Sequence, residues 1–209
     1  MAAFKLAIEQ GAAGVEFDVQ LSHDGVPVII HDDTVDRTTD GSGTVTEMSL
    51  AELKALDAGN GETIPTLAEL LTHFGANILY NLEIKNADTE DKGAEKAILA
   101  ILDQFELAGN VLISSFNPLA LQRIQQQAGD RWPVAYLWVS TPTTELRQTL
   151  HATADHPYHK LIDEEYMAWA NAANLLVNTW TVDDPADAAR LVALGVHGII
   201  TNQPGEMKL

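Results

Sequence analysis

Five residues stand at spacings that could do chemistry together: Glu16, Asp18, His31, Glu83 and Lys85. Glu16 and Asp18 are two apart in the run Gly14-Val15-Glu16-Phe17-Asp18-Val19-Gln20, so on a strand both carboxylates fall on one face. Glu83 and Lys85 alternate with Leu82 and Ile84 and share a face in the same way. Charged groups in otherwise apolar strands are costly to bury unless a metal, a proton partner or a ligand compensates. Three carboxylates make an all-oxygen donor set, which suits Mg²⁺ or Ca²⁺ over a soft metal. A lysine and a histidine beside such a cation suit a phosphate ester. The cation and the ammonium neutralise phosphoryl oxygens, and the imidazole moves a proton. Plainer readings stand beside each piece: a half-exposed hairpin with a wet polar face, a cross-strand Glu–Lys ion pair, a structural histidine.

The elements that must hold these residues are strands. Two apolar, β-branched runs flank Ser22-His23-Asp24-Gly25, and Asp-Gly between such runs is a strong hairpin signal. With Asp24-Gly25 as a two-residue loop, His23 faces Val26 and Asp18 faces His31. Further on, strands are expected at Ile78–Lys85, Val111–Phe116, Val134–Val139, Leu175–Val182 and Gly198–Thr201, with a short one within the loop His156–Ile162. Helices are expected at Ala2–Gln10, Leu50–Leu56, Pro65–Leu71, Lys92–Ala108, Pro118–Ala128, Thr144–Ala152, Glu164–Ala173 and Pro185–Leu194. Ser49 with Glu52 reads as a capping box. Short apolar strands alternating with helices of about ten residues imply parallel βαβ units. No dinucleotide-type glycine fingerprint follows any strand, so a closed (β/α) barrel fits better than a doubly wound sheet. The chain reads as one domain, 1–209, with an irregular insertion around 33–64. In such a barrel, chemistry sits where strands end and loops lead into helices.

Composition narrows the function classes. The 209 residues are 46% hydrophobic and 20% charged, ordinary for a globular protein that buries its own core. There is no cysteine, which excludes disulfides and thiolate metal sites. A net charge of −18 argues against nucleic acid or an anionic membrane as partner, while leaving a phosphate substrate open. No run approaches the roughly 18–20 apolar residues of a membrane helix. No signal segment opens the chain, so a cytoplasmic protein is expected. Met1 enters directly on a helical pattern with no capping residue before it, as if inside an element, and a lost upstream segment could have held a signal.

The motifs then resemble a family. Gly14–Leu21, His23–Asp33 and Asp36-Arg37-Thr38-Thr39-Asp40-Gly41-Ser42-Gly43 are similar to glycerophosphodiester phosphodiesterases. So are Ile64–Leu67, Asn81–Lys85, Ser114-Ser115-Phe116, Trp180-Thr181-Val182 and Gly198–Thr201, in order along the whole chain. The resemblance implies a (β/α)8 TIM barrel that hydrolyses glycerophosphodiesters to sn-glycerol 3-phosphate and an alcohol with a divalent cation. It implies Glu16, Asp18 and Glu83 as metal ligands and His31 as one of two acid/base histidines. It further implies Lys85, Arg37, Ser115, Phe116 and Trp180 as substrate-binding residues. Arg37 has a second reading, as a residue that orders the loop after His31.

Three departures from that pattern set further expectations. The family's opening strand with His-Arg-Gly, and its Glu-Asn-Thr motif, have no counterpart here, so the barrel is expected to lack its first strand and one catalytic histidine. His197 and Asn202 stand where acidic residues are usual, and His197, preceding the last strand, is expected at the opposite end of the barrel. The segment Leu56–Ile64 is short, which opens the cleft. His23, His73, His151, His156 and His159 take structural readings. The acidic runs Asp88–Asp91 and Asp163–Glu165 read as helix N-terminal charges and solvated faces. Two other functions remain in view: an inactive barrel that binds metal or phosphate, and lysophospholipase D-type hydrolysis on the same fold. No apolar surface segment suggests a membrane, which ranks the latter last.

Overall fold

The computed structural model describes residues 1–86, 89–107 and 109–207. Eight strands form one sheet in the order β2-β1-β3-β4-β5-β6-β7-β8. They are β1 (Gly14–Leu21), β2 (Pro27–Ile29), β3 (Leu79–Ile84), β4 (Val111–Ser115), β5 (Val134–Trp138), β6 (Ala154–Pro157), β7 (Leu176–Thr179) and β8 (Gly198–Ile199). All neighbours run parallel except β1 and β2. Helices follow the strands in alternation: α1 (Ala2–Glu9), α2 (Leu50–Lys54), α3 (Leu67–Phe74), α4 (Ala94–Leu102), α5 (Pro118–Ala128), α6 (Thr144–Thr149), α7 (Glu164–Ala172) and α8 (Pro185–Leu194). This is the α/β barrel architecture expected from the alternation.

Local chemistry explains the element ends. Ser49 with Glu52 and Thr66 with Glu69 each form a complete capping box at α2 and α3. Helix α3 therefore starts at Leu67 with Thr66 as its cap, two residues after the expected Pro65. Asn117 and Asp184 cap α5 and α8 with a proline in the first turn. Helix α4 ends at Leu102, short of the expected Ala108; that residue and Asp88 of the first acidic run lie outside the described residues.

One face of the strands meets the helices. Val15, Phe17 and Val19 of β1, with Tyr80, Leu82 and Ile84 of β3, pack with Leu67, Leu70, Ile98, Leu102 and Leu121 in the main core. The other face, which carries Glu16, Asp18, Asn81 and Glu83, is the inside of the curled sheet. Gly14 permits the close approach of β1 to β3, because a Cβ there would lie 2.3 Å from the Leu79 carbonyl oxygen. Residues 33–64 are not merely irregular. Val28, Ile30, Val35, Val45, Leu53 and Ile64 form a small core of their own beneath β2.

The hairpin differs from expectation by one residue. Val19 pairs with Ile29, Gln20 with Val28 and Leu21 with Pro27. Ile30 N–H donates to the Asp18 carbonyl at 3.1 Å, so Asp18 stands opposite Ile30 and not His31. A two-residue type I′ loop needs positive φ at both central residues. Only Gly25 has it, at +80°; Asp24 does not. The loop is instead His23-Asp24-Gly25, closed by Ser22 N–H to Val26 O at 3.0 Å and Gly25 N–H to Ser22 O at 2.9 Å. Ser22 Oγ fixes it further, donating to Asp24 Oδ1 and accepting from Val26 N–H.

Strands β1 and β8 are not hydrogen-bonded to each other, and the sheet stays open along that seam. A cavity of about 710 Å³ lies there, lined by Phe4, Ala7, Glu16, Asn81, Val192 and Ile199 among others.

Candidate active site

The β1–β3 ladder sets the site. Glu16 pairs with Asn81 and Asp18 with Glu83, so three carboxylates emerge on the same inner face of two adjacent strands. One ligand oxygen from each of Glu16, Asp18 and Glu83 lies within 4.8 Å of the others. Lys85 continues that face. Its Nζ is 3.0 Å from Asp18 Oδ1 and 2.7 Å from Glu83 Oε1. The four side chains are largely buried, with one positive charge against three negative.

That imbalance shows in the protonation of the carboxyls. Burial pushes the Glu16 carboxyl up to about 8, with Asp18 and Glu83 adding to the rise and Lys85 opposing it. Burial also raises Glu83, against its hydrogen bond from Lys85. Burial lowers the Lys85 ammonium, but the bond and charge of Glu83, followed by Asp18, outweigh this, and its pKa is raised. With all three carboxyls ionised against Lys85 the group is two charges negative, which a divalent cation would balance, and carboxylate oxygens are the donors that hard divalent cations take. The residues therefore fit such a cation; which cation they prefer depends on coordination number and cavity size.

His31 leaves the end of the hairpin beside this cluster, near enough for its charge to lower the Glu83 carboxyl. Its side chain is 64% exposed. Nδ1 lies 2.8 Å from Asp32 Oδ1. Arg37 grips the same carboxylate twice, Nε to Oδ2 at 2.6 Å and Nη2 to Oδ1 at 3.0 Å. These bonds, from Arg37 first and His31 second, hold Asp32 well below the usual carboxylate range. The ionised Asp32 carboxylate can accept from Nδ1–H, an arrangement that leaves Nε2 for another partner. These two bonds suit the second reading of Arg37, as a residue that orders the loop after His31.

Two aromatic residues meet just past the strand ends. The Phe116 and Trp180 rings meet edge to face with centroids 5.2 Å apart, joining the ends of β4 and β7. Trp180 Nε1 donates to the His156 carbonyl at 2.9 Å.

Ser115 is turned away from the carboxylate cluster. Glu83 pairs with Ser114, so Ser114 and Phe116 share the inner face and Ser115 points outward. Its hydroxyl donates to Ile84 O at 2.8 Å and accepts from Asn117 N–H at 3.0 Å. Asn117 also donates to Asn86 O at 2.7 Å. Both bonds tie down the end of β3, which carries Glu83 and Lys85. Ser114 is the inner serine, buried and without a hydrogen-bond partner among the described residues.

The histidines divide as follows. His156 is in β6 and not in a loop; it is fully buried on the inner face, and burial pushes it down to about 3. Asn178 Nδ2 lies 3.0 Å from its Nε2. His159 pairs with Asp187, which Arg190 also holds, and stitches α8 to the loop after β6. A cavity of about 750 Å³ opens beside that pair, lined by Asp183, Asp184 and Asp187 and by none of Glu16, Asp18 or Glu83. His197 sits as expected at the far end, its Nδ1 accepting from Val177 N–H at 3.0 Å.

The family model described as the glycerophosphoryl diester phosphodiesterase family matches residues 1–206. This chain belongs to that family. It is accordingly an enzyme of the phosphodiesterase class. A glycerophosphodiester phosphodiesterase from Caldanaerobacter subterraneus is 37% identical over 98% of this chain and 88% of its own length. A second, from Bacillus subtilis, is 30% identical over 96% and 77%. Among solved structures, a phosphodiesterase from Oleispira antarctica in complex with the product sn-glycerol-3-phosphate superposes with a TM-score of 0.89. It is 32% identical and matches 99% of this chain and 88% of that one. No helix among the described residues is long and apolar enough to cross a membrane.

Proposed function

We propose that this protein hydrolyses glycerophosphodiesters to sn-glycerol 3-phosphate and an alcohol with the help of Mg²⁺ or Ca²⁺. The observation that carries this reading is the cluster Glu16–Asp18–Glu83–Lys85, set beside His31 at the ends of adjoining strands. Glu16, Asp18 and Glu83 would hold the cation, which when bound draws charge from the phosphoryl oxygens. The remaining work falls to the chain's own groups. Lys85 presents an ammonium to a phosphoryl oxygen. His31, with Nδ1–H on Asp32, acts in its imidazolium form: Nε2–H gives its proton to the leaving oxygen as the P–O ester bond breaks, so that the alcohol leaves neutral, and the ring regains a proton from the attacking water. Water supplies the hydroxyl that ends on phosphorus. Phe116 and Trp180 give the organic part of the ester an apolar wall.

The test is release of sn-glycerol 3-phosphate from glycerophosphocholine by the purified 209-residue chain, with Mg²⁺, with Ca²⁺ and with EDTA. Release that needs the cation is the expected result. A chain that binds the cation by thermal shift yet releases nothing from pH 5 to 9 would be a binding module, and the reading would be wrong.

One observation favours a second substrate. Phe116, Leu119, Val139 and Leu161 are exposed apolar side chains at or just past the ends of β4, β5 and β6. Such a rim suits the acyl chain of a lysophospholipid, and cation-dependent release of choline from lysophosphatidylcholine would establish it.

A further inference from the structure

Gln20 is the next residue after Glu16 and Asp18 on the inner face of β1, and it is buried. A buried primary amide needs partners for both its hydrogens. It finds them at an unusual place. Nε2 lies 3.1 Å from Ile30 O, 3.2 Å from His31 O and 2.8 Å from Asp32 O. Three successive carbonyls point at one nitrogen, so the chain curls around the amide.

The ladder explains why this is needed. Pairing of the hairpin stops at Ile30, whose N–H is the last to reach β1. From His31 on, the backbone bends away and no strand fixes it. Among the described residues no backbone N–H is bonded to the carbonyls of Ile30, His31 or Asp32. The Gln20 amide does what the ladder would have done. It anchors the backbone of His31 and Asp32 to the strand that carries Glu16 and Asp18. The outer side of the same turn is fixed by Arg37 on Asp32.

We infer that Gln20 is a positioning residue for His31: its amide locks the turn at residues 30–32 so that the imbalance between Nδ1 on Asp32 and a free Nε2 is kept at a set distance from the carboxylate cluster. This rests on the reading of His31 as the proton-transfer group. Proton transfer needs its partners within hydrogen-bond reach, so a turn free to shift by an ångström disables a histidine that is still present.

The test uses the purified protein and the variants Q20M, which keeps the volume without the donor, and Q20E, which turns an acceptor toward three carbonyls. Histidine ¹⁵N spectra report the His31 tautomer without any need for turnover. In the wild-type protein His31 is expected as the Nδ1–H tautomer; in both variants that preference is lost. Cation affinity, read by thermal shift, should change less than about twofold, while kcat on glycerophosphocholine falls about tenfold or more and KM holds. Variants with the wild-type tautomer ratio and kcat would overturn the inference. Should neither variant fold, exchange of the Gln20 side-chain amide protons in the wild-type protein decides: strong protection relative to exposed Gln10 supports the clamp, and equal rates overturn it. H31Q separates the two readings. If H31Q keeps full turnover, His31 is not the proton donor, while the spectra and exchange rates still judge Gln20.

Discussion

Asp18 and Glu83 stand side by side across the β1–β3 ladder, and the Lys85 ammonium bridges them at 3.0 and 2.7 Å. Lysine thus supplies part of the positive charge that the buried carboxylates need. A divalent cation held by this cluster would compete with it for Asp18 and Glu83. Glu83→Gln should abolish the thermal shift produced by Mg²⁺ or Ca²⁺ and lower turnover by about 10²-fold or more. Lys85→Met should lower turnover but leave a cation-induced thermal shift in place. Calorimetric titration of each variant with cation is the measurement.

Glu16 gives the cluster a pH signature. Its carboxyl is raised by burial to about 8 in the fold, against 4.5 ordinarily. A raised value means the protonated fold is favoured: this contribution is whole below about pH 4.5 and is lost as pH rises through 8. Glu16→Gln should therefore raise the Tm of the cation-free protein at pH 9 by roughly 5 °C and leave it little changed at pH 5. Thermal melts in EDTA at the two pH values check this.

His156 acts in the other direction. Burial lowers it from 6.5 to about 3, so its contribution is present above pH 6.5 and is lost as pH falls toward 3. Unfolding in urea across that range should show an acid-side loss on the order of a few kcal/mol in the wild-type protein. His156→Gln should flatten it.

Asp32 and Arg37 set the His31 ring from the outer side. Asp32→Asn removes the acceptor that fixes the tautomer and should cut kcat by about 10²-fold or more. Arg37→Met leaves the aspartate in place and should cost less, about tenfold, with KM nearly constant. Steady-state kinetics on glycerophosphocholine distinguishes this from a substrate contact, whose loss would raise KM.

The two neighbouring serines should part company. Ser115→Ala removes a hydroxyl bonded to Ile84 O and Asn117 N–H, and should destabilise by about 1–2 kcal/mol. Ser114→Ala removes a buried hydroxyl with no partner among the described residues and should be neutral or stabilising. Urea unfolding of both settles the assignment of faces.

By itself the sequence determined the parity of the strands. Glu16 with Asp18, and Glu83 with Lys85, had to share faces because side chains alternate along any strand. It also determined the Ser49–Glu52 capping box, the βα alternation and the absence of thiolate chemistry, which follow from residue types and local spacing. Tertiary structure decided what depends on alignment between distant segments. Parity does not say which of two adjacent serines faces inward; the pairing of Glu83 with Ser114 does. The Asp-Gly signal located the hairpin, but only Gly25 takes positive φ, and that one residue moved His31 off Asp18. The service of Gln20 to the carbonyls of residues 30–32 left no mark in spacing, and the loop-ordering reading of Arg37 had no partner until Asp32 came beside it. Each is a bond between a side chain and a turn, and it exists only once the strand and the turn are brought together.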